Sequence, residues 1–200
     1  MVDKILQAAI RCFSRNGFYR TTIDDIAGEL GVSKGAIYYY FQNKSDIIYQ
    51  VIEKGITTIN EYWVKEFSTD QPLHNLVEHV VGAFVDYSFT FPELIKVTYG
   101  GAASELDDEL TARIKELKQS TINNMTHQLE YGTSINVVKK GLDYEALAVG
   151  LISMVSSICI HNMERENAPS KEIITHTICS LISGGVYIED KSLIPKRIQL

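Results

Sequence analysis

The sequence lacks the features of a disulfide-bonded, secreted or membrane-spanning protein. Its three cysteines, Cys12, Cys159 and Cys179, are odd in number and fit no CxxC spacing, which favours a reducing cytosol over a disulfide framework. The most apolar run, residues 146–160, is shorter than the roughly 20 residues that a bilayer-spanning helix needs, and serines interrupt it. No signal-peptide pattern precedes Asp3. We therefore expect a cytoplasmic protein with no membrane anchor, in which this run forms a helix buried on most sides.

Patterns for catalysis and cofactor binding are also lacking. The sequence contains no HExxH or CxxC metal-ligand spacing, no glycine-rich phosphate loop and no nucleophile elbow. No acids, bases and nucleophiles cluster along the chain. We therefore predict that the protein is not an enzyme and holds neither a cofactor nor a metal. An all-helical enzyme is the alternative of a different class, and these absences argue against it.

The charge distribution limits where nucleic acid could bind. The net charge of −6 argues against a protein that coats nucleic acid along its whole surface. The first 50 residues differ from the rest, because they carry six Lys or Arg against five Asp or Glu. Any contact with DNA must therefore be local and made by the N-terminal part of the chain.

Apolar residues recur at helical spacing through most of the chain, and strand patterns are nearly absent. We predict an all-α fold of about nine helices. Thr22 with Asp25 forms a capping-box pattern at the start of the second helix, and a pairing one residue earlier is the alternative. Ser33 caps the third helix. Asn43 then caps a long fourth helix that continues to Phe67 and links the N-terminal helices to the remainder.

The C-terminal half also divides into helices. We predict a long helix over residues 104–131 and a loop over residues 132–141. Asp143 caps an eighth helix that ends near residue 164, and Ser170 caps a ninth that ends at Gly184-Gly185. The last fifteen residues form a tail.

Several short motifs occur in register within residues 5–48. In chain order they are Gly17-Phe18, Thr21-Thr22, Ile26-Ala27, Gly31-Val32-Ser33-Lys34-Gly35, Tyr38-Tyr39-Tyr40-Phe41 and Lys44. This stretch resembles the TetR (tetracycline-repressor-like) family of bacterial transcriptional regulators. Leu30 and Tyr40 depart from the pattern, since a small residue and a histidine are common there. Beyond about residue 54 the likeness is one of architecture only.

The resemblance implies a three-helix helix-turn-helix DNA-binding domain over residues 1–45. Residues 46–200 would then form a helical ligand-binding and dimerisation domain, with a homodimer formed through the last two helices. Such a dimer reads a palindromic double-stranded DNA operator, and a small-molecule ligand would release a repressor of this kind. The large apolar and aromatic content of the chain favours a hydrophobic ligand, whose identity is unknown. The alternative is a DNA-binding regulator that a protein partner controls, with no small-molecule effector.

The resemblance also implies which residues contact DNA. In the second helix of a helix-turn-helix, N-terminal residues face base edges in the major groove. A glycine there permits close approach, a lysine reaches a guanine or a phosphate, and hydroxyl groups bind phosphates. Tyr40 could take part or could pack in the three-helix core, and core packing is also the alternative for the other tyrosines. The predicted contacts are Thr22, Ser33, Lys34, Gly35, Tyr38, Tyr39 and Lys44.

A ligand pocket is harder to place, because no motif identifies one. Large apolar and aromatic side chains with a few polar anchors typically line such pockets. The alternative for each candidate is that it simply fills the core, and His161 is a further polar candidate of the same kind. The predicted lining consists of Trp63, Phe84, Tyr87, Phe91, Tyr99, Met125, His127 and Met154.

Overall fold

A computed structural model describes residues 1–67, 73–100 and 107–186. Within these ranges the chain forms nine α-helices and no strand, which confirms the all-α prediction. The predicted tail after Val186 and the predicted helix start at residue 104 lie outside the described residues. The helices are α1 (Val2–Asn16), α2 (Ile23–Leu30), α3 (Lys34–Tyr38), α4 (Lys44–Phe67), α5 (Leu73–Thr90), α6 (Pro92–Tyr99), α7 (Asp108–Ser134), α8 (Tyr144–Met163) and α9 (Lys171–Val186).

The helices group into two compact units that differ from the division expected at residue 45. The first unit joins Met1–Ile56 with Phe91–Leu117, and the second joins Thr57–Thr90 with Lys118–Leu200. Helix α6 belongs to the first unit because it packs against α1. The chain therefore returns to its N-terminal helices after α5, which no local pattern in the sequence indicates.

Helices α1, α2 and α3, which we call the head, pack in succession around a small core. Phe13, Ile26, Ile37 and Phe41 contribute the large side chains of this core, and each is at most 2% exposed. Thr21 is buried beside them and donates its hydroxyl to the Gly17 carbonyl oxygen at 2.8 Å. This bond closes the turn between α1 and α2, since the turn's own polar groups would otherwise be buried without partners.

The ends of the head helices follow the predicted caps. Thr22 and Asp25 form a complete capping box at the start of α2, so the alternative pairing one residue earlier is wrong. Ser33 caps α3 by accepting a hydrogen bond from the amide of Ala36. Gly31 ends α2 at φ 68°, a left-handed conformation in which glycine carries no Cβ penalty. These caps set the angle at which α3 leaves the turn.

In the second unit, α5 packs against α8 and α9. Val81, Val85, Cys159 and Ile178 lie at the centre of the apolar core. The loop predicted to start at residue 132 is wrong in its first three residues, because α7 continues to Ser134. Val138 folds back so closely that a Cβ on residue 132 would lie 2.6 Å from it, so glycine is needed there for packing rather than for a turn.

Helix α8 departs from the prediction of a helix buried on most sides. By length and composition alone it could cross a membrane, yet only 22% of its most apolar stretch of 18 residues is buried. Its cap, Asp143, is as predicted and accepts a hydrogen bond from Ala146. Small and apolar residues recur along the exposed side of the helix, namely Ala146, Val149, Gly150, Ser153 and Ser157.

Candidate nucleic-acid interface

Helix α3 presents a polar surface over an apolar support. Ile37 is fully buried beneath the helix, whereas Lys34, Gly35 and Tyr38 on its other side are exposed. Because Gly35 has no side chain, the backbone of the first turn is open to close approach by a flat or curved surface. The arrangement matches the second helix of a helix-turn-helix, which places its N-terminal residues against a DNA groove.

The three consecutive tyrosines all lie at the surface. Tyr39 is 81% exposed, and Tyr38 and Tyr40 are about half exposed. The rings of Tyr39 and Tyr40 meet edge to face, with their centroids 4.9 Å apart. All three hydroxyl groups can therefore reach an external acceptor or donor, which a phosphate backbone supplies.

Lys34 is held by a residue that the sequence analysis did not single out. Its ammonium group donates to a carboxylate oxygen of Asp24 on α2 at 2.8 Å. This hydrogen bond and the attraction between the charges raise the pKa of Lys34 above its ordinary value. A phosphate or guanine must compete with Asp24 for this lysine. The ten-residue separation between the partners explains why no helical spacing predicted the pair.

The ammonium group of Lys44 points into the head. It donates to the carbonyl oxygens of Phe18 at 2.8 Å and Tyr19 at 3.1 Å, and it lies 4.5 Å from the centre of the Phe18 ring. Desolvation in this position lowers the pKa of Lys44. The contacts tie the start of α4 to the turn after α1. The predicted phosphate contact of Lys44 remains a prediction, and reaching DNA would require the lysine to leave these carbonyls.

The two hydroxyl residues of the predicted interface already serve as caps. The Thr22 hydroxyl accepts from the Asp25 amide and donates to the Asp25 carboxylate at 2.7 Å. The Thr22 hydroxyl and then its backbone N–H hold the pKa of Asp25 below its ordinary value. The Ser33 hydroxyl accepts from Ala36 at 3.3 Å. Both residues are exposed, so each oxygen can also face a partner outside the chain.

The start of α4 is joined to the start of α7 by a set of polar contacts that we call the α4–α7 bracket. Both terminal nitrogens of Arg113 approach one carboxylate oxygen of Asp46, at 3.4 and 3.5 Å. The guanidinium carbon of Arg113 lies 3.7 Å from the centre of the Tyr49 ring. Ser45 donates a short hydrogen bond to Asp107, which also caps α7. A cleft of about 160 Å³ lies among these residues.

The predicted ligand-pocket residues fall into separate places. Phe84, Met125 and Met154 pack against one apolar core in the second unit. Phe91 and Tyr99 belong to the first unit, where burial raises the pKa of Tyr99 to about 12.

The remaining candidates do not join that cluster. Tyr87 is half-buried on α5, and the side chain of Trp63 lies outside the described residues. The side chain of His127 is 77% exposed and faces Glu130 at 3.4 Å, which argues against a place in a closed pocket. His161 is also exposed.

Gln128 on α7 is a polar residue that the sequence analysis missed. Its side-chain oxygen is buried and receives no hydrogen bond, and it is the one such side-chain atom among the described parts of the chain. Buried polar atoms in folded proteins almost always have a partner, and one without is costly. Met125 precedes it by less than one helical turn, and the buried Leu129 follows it directly. In the sequence, only the position of this glutamine beside the apolar stripe of the helix could have indicated a buried polar group.

The three-helix head, its capped turn and the exposed surface of α3 have the arrangement of a helix-turn-helix domain. The family model described as bacterial regulatory proteins of the tetR family matches residues 5–51. Over these residues the chain matches the TetR family, as the resemblance of residues 5–48 predicted.

Curated relatives are transcriptional regulators rather than enzymes. The biofilm operon icaADBC HTH-type negative transcriptional regulator IcaR of Staphylococcus epidermidis is 25% identical over 117 residues, which cover 58% of this chain and 63% of that protein. The fatty acid metabolism regulator protein of Bacillus subtilis is 26% identical over 192 residues, covering 92% of this chain and 94% of that protein.

The fold has a solved counterpart over nearly its whole length. The transcriptional regulator FadR from Bacillus subtilis in complex with stearoyl-CoA has a TM-score of 0.74 and 20% identity, and the match covers 94% of this chain and 100% of that chain. At this identity the likeness concerns the fold. Among the described residues, no group of three or more His, Cys, Asp or Glu is placed to hold a metal ion.

Proposed function

We propose that this protein is a homodimeric transcriptional repressor that leaves a palindromic operator when a small hydrophobic ligand binds its second unit. The exposed surface of α3, with Lys34, Gly35, Tyr38 and Tyr39 over a buried Ile37, is the observation that carries the DNA-binding part. Two such helices, one from each subunit, would read half-sites about one helical turn, roughly 34 Å, apart.

Repression is proposed because the staphylococcal relative is named a negative regulator. That match covers 63% of the relative, so the mode of control is carried over as a proposal only. Among the contacts, Tyr38 and Tyr39 bind phosphates and Lys34 exchanges Asp24 for a base or phosphate. The protein acts in the cytoplasm, where the chromosome lies, and catalyses no reaction.

The ligand part of the proposal is supported by the composition of the second unit. Phe84, Met125 and Met154 bring adaptable apolar side chains to one core, and methionine in particular fits irregular ligands. The buried oxygen of Gln128 offers a hydrogen-bond acceptor close to Met125. We infer a ligand with a long apolar body and at least one N–H or O–H donor.

The dimer is supported by the apolar surfaces of α8 and α9. Val149, Ile173 and Leu181 are between 42% and 57% exposed on two helices that pack against each other, and exposed apolar residues that group on one surface are typical of a protein–protein contact. Ala146, Gly150, Ser153 and Ser157 on α8 are small enough to let another helix approach closely. Burial of the same surface in a dimer would also account for the membrane-like composition of α8.

Selection of duplexes from a random pool, followed by fluorescence anisotropy, tests the DNA-binding part. We expect a palindromic site, and we expect Lys34→Ala and Tyr38→Phe to weaken its binding while the protein stays folded. Lys115→Ala, a change at an exposed residue of α7, is the matched control. Unchanged affinity in both head variants would refute the assignment of α3.

Stearoyl-CoA is the first ligand to test, because the structurally similar Bacillus subtilis regulator was solved with it. We expect it to raise the melting temperature and to release the operator, whereas coenzyme A without the acyl chain should do neither. If no apolar ligand in a metabolite library changes either quantity, control by a protein partner becomes the better proposal.

A further inference from the structure

The α4–α7 bracket contacts the short connection that follows the proposed DNA-binding helix. Helix α3 ends at Tyr38 and α4 begins at Lys44, so only five residues separate the bracket's helix from α3. Within this short connection, the Gln42 amide donates to the Asp46 carboxylate at 3.4 Å. The Asp46 carboxylate therefore contacts the connection on one side and Arg113 on the other.

Arg113 makes two kinds of contact with α4. Its charge faces Asp46, and its planar guanidinium lies on the face of the Tyr49 ring, which combines ion pairing with a cation–π contact. The Arg113 side chain is 33% exposed and that of Asp46 is 17% exposed, so the pair is shielded from solvent more than the Lys34–Asp24 pair. A partly buried pair of this kind is screened less by salt than an exposed one.

A second contact supports the same helix end. Ser45 donates to Asp107, and Asp107 accepts the amide of Leu110 at the start of α7. These bonds hold the pKa of Asp107 below its ordinary value, the bond from Ser45 being the largest cause. Two successive residues of α4, Ser45 and Asp46, are thus each bound by a residue near the start of α7.

We propose that Arg113 is a positioning residue for the DNA-binding surface, which holds the start of α4, and through it the end of α3, in the orientation that binds DNA. The proposal rests on the proposed function of α3 but not on any ligand. Helix α7 continues beyond Leu117 into the second unit.

The first test measures amide hydrogen exchange without DNA. In Arg113→Ala, we expect exchange at the amides of Tyr39, Tyr40 and Phe41 to rise about tenfold, because these amides close the last turn of α3. Exchange in α1 should stay unchanged. Arg113→Lys keeps the charge but loses the flat contact with Tyr49, so it should restore part of the protection.

The control substitution is Lys115→Ala, which removes an exposed cation from the same helix and should change nothing. Asp46→Asn should add little to Arg113→Ala, since it removes the charge that faces Arg113 and keeps an amide oxygen that can accept from Gln42. Unchanged exchange at Tyr39–Phe41 in Arg113→Ala would overturn the proposal. An equal rise in α1 would also overturn it, because Arg113 would then stabilise the whole unit rather than α3.

The second test uses the selected operator duplex. Arg113→Ala should raise its Kd about tenfold with the same dependence on salt, because no phosphate contact is lost. A salt slope reduced by about one would show that Arg113 contacts a phosphate directly and would overturn the positioning role. If the unaltered protein binds no duplex at all, the proposed function fails, and the exchange measurement alone decides whether Arg113 positions α3.

Discussion

In the head, the largest apolar side chains are fully buried, whereas in the α8–α9 pair several remain at the surface. Phe13 and Phe41 are at most 2% exposed, but Ile173 and Leu181 are more than half exposed. The head thus completes its core within one chain and turns polar groups and tyrosines outward. The α8–α9 pair, in contrast, leaves large apolar side chains exposed to solvent. The difference is the basis for proposing DNA as the partner of the head and a second copy of the chain as the partner of the pair.

The largest expected effect removes the core of the head. Phe41→Ala should lower the free energy of unfolding of the head by about 3–5 kcal/mol, because a fully buried aromatic ring leaves a cavity. Hydrogen exchange in α1 to α3 should then rise strongly while α5 and α9 keep their protection. Tyr39→Ala, at the most exposed of the tyrosines, should change stability by less than about 0.5 kcal/mol. Equal losses in both units would contradict a head that completes its own core.

A charge on the exposed apolar surface of α8 and α9 should disrupt the proposed dimer. Leu181→Glu is expected to raise the dimer dissociation constant at least about hundredfold, since each copy would place an unpaired carboxylate in an apolar contact. Sedimentation velocity measures the change, and circular dichroism checks that the helices remain.

Asn123→Glu, at an exposed position of α7, is the matched control for this substitution. A wild-type protein that sediments as a monomer at micromolar concentration would contradict the assignment of this surface. A Leu181→Glu variant that dimerises as well as wild type would do the same.

Substitution of Gln128 tests whether its unsatisfied side-chain oxygen, the proposed ligand contact, lowers the free energy of unfolding of the second unit. Gln128→Leu should raise the free energy of unfolding by about 1 kcal/mol, because it removes a buried oxygen that no protein group satisfies. Gln119→Leu removes a side chain that is exposed and bonded to Asn123, and it should give no gain. Thermal and urea unfolding measure both variants. A loss of stability in Gln128→Leu would mean that the amide is an ordinary structural group.

The smallest expected effect concerns pH. The folded pKa of Asp25 is depressed by Thr22, so the capping box contributes stability above the unfolded pKa, about 4, and loses it as the pH falls through the lower folded pKa. The protection of the α2 amides, taken relative to their intrinsic exchange rate at each pH, should therefore fall on acidification, and Asp25→Asn should reduce this dependence. Thr22→Val should reduce it as well, because it removes the largest cause of the shift. An identical pH profile in wild type and Asp25→Asn would exclude this origin.

Much of the head could be predicted because its structural signals are local. Thr22 with Asp25, and Ser33 three residues before Ala36, satisfy backbone amides within one helical turn, so sequence spacing alone reveals them. The same holds for Asp143 at the start of α8. The number and order of the helices could be predicted from these caps and from the helical spacing of the apolar residues.

The contacts that sequence could not supply join distant residues. Lys44 donates to the backbone carbonyls of Phe18 and Tyr19, which lie 26 and 25 positions earlier in the chain. Arg113 binds the carboxylate of Asp46, which lies 67 positions earlier. From sequence alone, a lysine at the start of a helix is as compatible with a phosphate contact as with these carbonyl contacts. Which one forms depends on where the chain folds back. The grouping of residues 91–117 with the head has the same origin. Gln128 was missed because nothing in a sequence distinguishes a satisfied amide from an unsatisfied one.

The discontinuous first unit has a practical consequence for engineering. A chimeric regulator that borrows its operator specificity from this protein cannot be made by a single crossover after α4, since Phe91–Leu117 belongs to the same compact unit as Met1–Ile56. A graft limited to the first segment would leave Ser45 and Asp46 facing foreign side chains in place of Asp107 and Arg113. Transplanting both segments together, with three junctions, in α4, between α5 and α6 and in α7, is the smallest exchange that carries the native contacts along.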